Sequence, residues 1–388
     1  MMAFDFATPV ERRHPAEGWA SQKWHRYADD VLPLWVADMD FRSPPAVIDA
    51  LHARVAHGVY GYGEVPATLT ETLCQWSAHH YDWPINADWQ QWLPGVVPAL
   101  HLAALALTAP GDGVLTVTPI YPPFLAVAER TGRLPQQAAL ATPVSRDDSW
   151  RLDIGALEAA VTPETRLLLW CHPHNPTGRV WSRGELAALA AFVERHDLWV
   201  VSDELHCDLL LDEGARHQPL VAAFPALAKR TITLWAPSKT FNLAGLTTAC
   251  AVIPDPDLRK RFDQATKGLL PDGNVLGLVA AEAAYRDGEP WRQALLQVLR
   301  ENRATLKAHV ATWPGVEMSS PASTYLAWLD MRNANLGDAP QAALLERAGV
   351  ALSDGAAFGH PGYVRLNFGT TASQLEAALT RMDALLAR

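Results

Sequence analysis

Through the middle of the chain, short runs rich in β-forming residues alternate with amphipathic stretches. Residues 114–118, 166–172, 198–202, 231–236 and 247–253 read as strands. Helical patterns lie between them, and the clearest covers 182–196. There Ser182 and Glu185 have the spacing of a capping box, and Leu186, Leu189, Ala190 and Val193 recur with a helical period. Such alternation predicts an α/β domain with a mostly parallel sheet and helices on both faces. In sheets of this kind, function gathers at the carboxyl ends of the strands. Beyond about residue 255 the pattern changes. Helices are predicted over 257–267, 274–286 and 291–311, then near 339–348 and 374–386, with strands near 323–330 and 363–368. Loss of strict alternation predicts a smaller α+β domain. Segment 4–49 has little periodicity and is expected to wrap over the small domain or a partner subunit.

Composition narrows the function classes. The 388 residues suffice for two or three domains. With 49% hydrophobic and 19% charged residues, the chain has a globular balance. A net charge of −10 and the lack of a basic run argue against nucleic-acid binding. The first residues lack the basic and apolar regions of a secretory leader. The longest apolar stretch, 99–110, is interrupted by His101 and is too short to span a membrane. Cys74, Cys171, Cys207 and Cys250 are scattered, which argues against a disulfide framework or zinc site. A soluble, cytoplasmic protein is expected. The fifteen Trp read only as packing or substrate-face surface.

Five local signals carry chemistry. Ala236-Pro237-Ser238-Lys239-Thr240-Phe241-Asn242 follows a buried strand. Burial lowers the pKa of a lysine there and suits it to Schiff-base chemistry, although a surface lysine fits the same segment. The strand 198–202 runs into Asp203 and Glu204, and a carboxylate at a buried strand end needs a cationic or hydrogen-bonding partner. Asn175-Pro176-Thr177-Gly178 is turn chemistry at another strand end. Gly95, Val96 and Val97 precede a helix expected to start at Pro98, leaving free N–H groups for a phosphate. In the strand 363–368, Arg365 and Asn367 share one face, and such an Arg can clamp a carboxylate. Cys171, His172, His174, Asp203, His206 and Cys207 admit a competing metal-site reading, without the spacing of a familiar zinc frame.

The ordered set Asn175-Pro176-Thr177-Gly178, Ser202-Asp203-Glu204 and Ser238-Lys239-Thr240 resembles the class I/II aminotransferase superfamily of pyridoxal 5′-phosphate (PLP) enzymes. The resemblance extends from Trp35 to the C-terminal helix. Trp35-Val36-Ala37-Asp38-Met39-Asp40-Phe41, Tyr60-Gly61-Tyr62 and Asp203-Glu204-Leu205-His206 are similar to the cystathionine β-lyase-like C–S lyase branch. Thr247 stands where many aminotransferases carry Arg, and His206 where many carry Tyr; both departures resemble that branch.

The resemblance implies a fold-type I architecture. A large domain with a mostly parallel seven-stranded sheet would occupy 51–285, a small domain 286–388, and a joining segment 1–50. It implies PLP on Lys239, paired with Asp203 through its ring nitrogen. Asn175 and His206 would lie beside the 3′ oxygen, and Tyr121 would stack on the ring. Gly95, Val96, Val97, Ser238 and a second subunit's Tyr62, preferred to Tyr60, would hold the phosphate. Arg365, Asn175 and the Ala37 backbone would hold the substrate carboxylate. The implied reaction is α,β-elimination from L-cystathionine or a related S-substituted cysteine by a homodimer. An aminotransferase, or a PLP-binding regulatory module that engages a protein partner, are the alternatives. No metal, nucleic acid or membrane enters this reading.

Overall fold

The computed structural model describes residues 4–13, 21–145, 148–271 and 273–387. Residues 1–3, on which part of the leader reading rests, lie outside them. Seven strands form the central sheet: β1 (Gln90–Leu93), β2 (Gly113–Thr118), β3 (Leu134–Ala139), β4 (Thr165–Cys171), β5 (Trp199–Asp203), β6 (Thr231–Trp235) and β7 (Ala249–Val252). Their order is β1-β7-β6-β5-β4-β2-β3. Pairing is parallel except for β7, which runs antiparallel to both β1 and β6.

The five expected strands are all present, with ends moved by one or two residues. In β4, Leu167, Leu168, Leu169 and Trp170 are fully buried because the sheet is covered on both faces. Leu167 and Leu169 pack with the helix Val96–Leu107, and Leu168 and Trp170 with the helix Arg183–Arg195. Burying each leucine contributes about 2 kcal/mol. The capping box at Ser182 and Glu185 is formed in both directions. One helix start differs from expectation. The helix Val96–Leu107 begins at Val96 after Gly95, so Pro98 is its third residue rather than its first. Proline is accommodated there because the first-turn N–H groups have no intrahelical partner.

Beyond β7, the helices Pro256–Thr266, Val275–Asp287 and Glu289–Val310 lead into an antiparallel sheet. Its strands are ordered Ser353–Asp354, Tyr363–Asn367, Leu326–Asp330, Glu317–Met318. The helices Pro340–Ala348 and Ala372–Leu386 complete this smaller unit. Leu32–Pro33 pairs in parallel with Val350–Ala351, which ties the N-terminal segment to it. The helix Pro45–His57 runs across residue 50 and packs on Val275–Asp287. No helix among the described residues is long and apolar enough to cross a membrane.

Candidate active site

Three adjacent parallel strands end at one level. Cys171 of β4 is in register with Asp203 of β5, and Asp203 with Leu234 of β6. The chain leaves β6 into the turn that carries Ser238 and Lys239. A cavity of about 210 Å³ opens over these ends, lined by Gly95, Val96, Val97, Tyr121, Asp203, Ser238 and Lys239. Thr247 and Thr248 also line it. The first intrahelical bond of Val96–Leu107 is Ala99 N–H to Gly95 O, 3.3 Å. The Val96 and Val97 N–H groups are therefore available at the positive end of the helix dipole, a natural anion site.

Electrostatics separates the two acids after β5. Burial pushes the Asp203 carboxyl up to about 7, opposed by the Leu205 N–H, which donates to its Oδ1 at 3.1 Å. Glu204 raises Asp203 further and Lys239 opposes that. Glu204 is itself committed behind the sheet. Its oxygens meet Ser202 Oγ (2.8 Å), His217 Nε2 (2.6 Å) and the Leu220 N–H (3.1 Å). Successive strand residues face opposite ways, so Asp203 alone serves the cavity. Burial brings the Lys239 amine down to about 8; Asp38 and Asp203 pull it up and Arg365 pushes it down. The Lys239 Nζ donates to the Ala37 carbonyl at 2.7 Å.

His206 is buried, and its imidazole is driven down to about 3 by desolvation, then by Lys239 and Arg365. Its Nδ1 has no hydrogen-bond partner among the described residues. The residues weighed as metal ligands are scattered among separate contacts. His172 reaches Gln218 O, His174 reaches Thr177 Oγ1, Cys171 donates to Pro173 O, and Cys207 meets the Tyr81 hydroxyl. Among the described residues no group of three or more His, Cys, Asp or Glu is placed to hold a metal.

The turn after β4 is fastened to the small domain. Gly178 has φ +66°, and a Cβ there would lie 2.4 Å from Pro321 Cβ and 2.9 Å from Ser323 O. Glycine is required on both counts. The Ser323 N–H donates to Gly178 O at 3.0 Å. Above the turn, Arg365 Nη1 donates to Asn175 Oδ1 at 3.0 Å and Nη2 to Trp35 O at 3.1 Å. Arg365 is 4% exposed, and its Nε has no partner among the described residues. Desolvation lowers this guanidinium to about 10. A buried guanidinium with an unused donor is a receptor for a carboxylate.

Residues 35–41 form a ribbon over the site, held by side chains that carried no role in the sequence reading. Asn367 Nδ2 donates to Val36 O (2.6 Å) and Asp38 O (2.7 Å). Asn242 Nδ2 donates to Met39 O (2.9 Å) and Phe41 O (2.8 Å), and its Oδ1 accepts the Met39 N–H (3.0 Å). The Tyr325 hydroxyl donates to Ala37 O at 3.0 Å. The only signals for these residues were Asn242 inside the Lys239 motif and Asn367 on the face of Arg365. From outside, the buried Lys23 donates to Asp40 Oδ2 at 2.7 Å, and Arg12 reaches Asp38 (2.7 Å) and Asp40 (2.8 Å).

Tyr62 is not brought to the cavity of its own chain. It is 98% exposed and borders a separate surface cleft with Leu270, Pro271 and Val275. The Tyr60 hydroxyl, by contrast, is already donated to Val55 O at 3.0 Å.

Comparison with known proteins agrees with this arrangement. Cystathionine beta-lyase PatB of Bacillus subtilis (strain 168) is 36% identical over 388 residues, covering 97% of this chain and 99% of the relative. The crystal structure of OvoB superimposes with a TM-score of 0.93 at 42% identity, over 98% of each chain. That of cystalysin from Treponema denticola, which contains pyridoxal 5′-phosphate, gives 0.92 at 31% identity over 99% of each. The architecture is that of the fold-type I PLP enzymes. The family description "Aminotransferase class I and II" matches residues 29–382, and the chain belongs to that family.

Proposed function

We propose that this protein is a PLP-dependent C–S lyase. With uptake of one water, it would convert L-cystathionine or a related S-substituted L-cysteine to a thiol (homocysteine from cystathionine), pyruvate and ammonia. The observation that carries the reading is one cavity lined by the Lys239 amine, the Asp203 carboxyl and a free helix N-terminus. The donor set fits PLP. Lys239 suits the aldehyde and Asp203 a protonated ring nitrogen. Ser238 with the N–H groups of Val96 and Val97 suits the phosphate. The Asn175 amide and the orphaned His206 Nδ1 leave polar groups for the ring oxygen. When bound, the cofactor would supply an aldehyde for Schiff-base formation and an electron sink for the deprotonated α-carbon.

The chain's own residues supply the rest. Arg365, with Asn175 and the Ala37 N–H, holds the substrate carboxylate and so fixes which Cα bond faces the amine. The Lys239 amine, near 8, is partly unprotonated at neutral pH and takes the Cα proton. Its ammonium form then holds that proton inside the site while the thiolate departs. Asp203 keeps negative charge where a cationic ring needs it, and Tyr121 walls the cavity for stacking. Elimination is favoured over transamination by the likeness to PatB and cystalysin, together with Thr247 and His206 at the two branch-marking positions.

We infer a homodimer in which a second copy supplies Tyr62 to the phosphate end. The exposed Tyr62 side chain and the already occupied Tyr60 hydroxyl support that choice. The division at residues 50 and 285 and a cytoplasmic location, suited to four free cysteines, belong to the same proposal. The test is a product assay. Pyruvate and thiol should form from cystathionine without added keto acid, and Lys239→Ala should abolish both this and the borohydride-sensitive yellow absorbance. A requirement for 2-oxoglutarate would instead mark an aminotransferase.

A further inference from the structure

One oxygen atom joins three remote parts of the chain. The Ala37 carbonyl, in the N-terminal ribbon, accepts from Lys239 Nζ at 2.7 Å and from the Tyr325 hydroxyl at 3.0 Å. Lys239 comes from the turn after β6, and Tyr325 immediately precedes the small-domain strand Leu326–Asp330. Tyr325 is 1% exposed, and this is the only hydrogen bond of its hydroxyl among the described residues. Burial holds its phenol far above the ordinary range, so it remains a donor at every working pH.

The acceptor cannot swing away. Asn367 grips the carbonyls of Val36 and Asp38 on either side of it, and Asn242 grips Met39. On the outer side, Lys23 Nζ donates to Asp38 O at 3.2 Å. A carbonyl oxygen has two lone pairs and is a weaker acceptor for each donor when shared. Tyr325 therefore takes one direction at this oxygen and leaves Lys239 the other.

We propose that Tyr325 is a positioning residue for the Lys239 amine, acting through the Ala37 carbonyl to which both donate. The oxygen is the resting point of the amine whenever it is not covalently engaged, and Tyr325 sets both its direction and how strongly it holds the ammonium form. The catalytic consequence rests on the lyase reading; the link between the two side chains does not. The charged or titratable groups that act on Lys239 are Asp38, Arg365, Asp203 and His206, and Tyr325→Phe leaves all four in place.

The test measures Lys239 directly, in the full chain freed of cofactor. Acetylation of Lys239 by trace acetic anhydride is followed against pH by mass spectrometry of the peptide that contains it. Tyr325→Phe keeps the ring and removes the competing donor. The carbonyl then favours the ammonium more, and the protonation midpoint should rise by about half to one pH unit. Labelling at pH 8, where the amine starts about half unprotonated, should fall roughly twofold to fivefold on the same basis. Site-specific 3-fluorotyrosine at 325, a stronger donor of nearly the same shape, should move the midpoint downward. Tyr285→Phe, at a buried tyrosine elsewhere in the same core, should leave it unchanged.

An unmoved midpoint in a folded Tyr325→Phe protein would overturn the proposal. If that variant does not fold, an unmoved or upward midpoint with fluorotyrosine would do so. In the loaded enzyme the alkaline rise of kcat should shift with the labelling midpoint while KM stays constant. A labelling shift without pyruvate formation from any cysteine conjugate would leave this link standing and sink the lyase reading.

Discussion

Arg365 and Asn175, 190 residues apart in sequence, meet as guanidinium and amide oxygen at 3.0 Å. The contact joins the small-domain strand to the turn after β4 and leaves the Arg365 Nε without a partner among the described residues. It holds the fork still before any substrate arrives, so little ordering remains to be done on binding.

Truncating that fork should act on substrate binding first. Arg365→Ala is expected to raise KM for amino acids about thirtyfold or more, the loss of a buried bidentate contact being on the order of 2–5 kcal/mol. Arg365→Lys should recover little, because an ammonium cannot satisfy Asn175, Trp35 and a carboxylate with one planar fork. Steady-state kinetics decides it, and an unchanged KM would place the carboxylate elsewhere.

Asp203→Asn should move stability and cofactor affinity in opposite directions. The Asp203 carboxyl is raised to about 7, so the folded chain binds more protons than the unfolded chain between about pH 4 and 7. Stability attributable to this group is present below that window and lost as pH rises through it. At pH 8 a buried carboxylate is a liability that Asn removes, while an amide oxygen can still accept the Leu205 N–H. The cofactor-free variant should melt a few degrees higher. PLP affinity should fall about tenfold to a hundredfold through loss of a charge-assisted bond. Melting curves and fluorescence titration with PLP check the two signs separately.

Three histidines should make the protein acid-labile. Desolvation lowers His172, His174 and His206 to about 3 each, so between about pH 3 and 6.5 the unfolded chain binds up to three protons that the folded chain does not. Asp203 opposes this with one proton in the other direction. The net difference near pH 5 is about two protons, and stability should drop on the order of 3 kcal/mol per pH unit as pH falls. Urea unfolding of the cofactor-free protein at pH 5, 6 and 7 measures the slope. A flat profile would show that these imidazoles are solvated.

How much of this was legible in the sequence depended on how local each cause is. The five inner strands could be read because burial on both faces leaves runs such as Leu167, Leu168, Leu169 and Trp170. The edge strands β1 and β3 escaped, because Gln90, Gln91, Pro135, Gln136 and Gln137 are tolerated where one side lacks a neighbour. Lys239, Asp203 and Asn175 stood out since each follows or ends a buried strand. The start of the helix Val96–Leu107 was misplaced by two residues because proline fits anywhere in a first turn. The Ala37 contacts with Lys239 and Tyr325, and the grip of Asn242 on Met39, span 202, 288 and 203 residues. No local pattern encodes contacts at such separations.

The clasp outside the ribbon gives a last prediction. Lys23 is 1% exposed and pairs with Asp40, also 1% exposed, at 2.7 Å. Arg12 and the Trp24 Nε1 complete the shell around Asp40 at 2.8 and 2.9 Å. The interior discourages a lone charge far more than it rewards a pair. Lys23→Met should therefore destabilise the chain by about 3 kcal/mol, since it strips one cation from a buried carboxylate. Lys23→Met with Asp40→Leu removes both charges and should cost clearly less than the sum of the two single changes. The same loosening should reach the site through Ala37, so the single variant is expected to lose PLP affinity even where it remains folded. Denaturant unfolding of the four proteins in the cycle supplies the coupling energy. Strict additivity would mean that Lys23 and Asp40 are held by the rest of the fold rather than by each other.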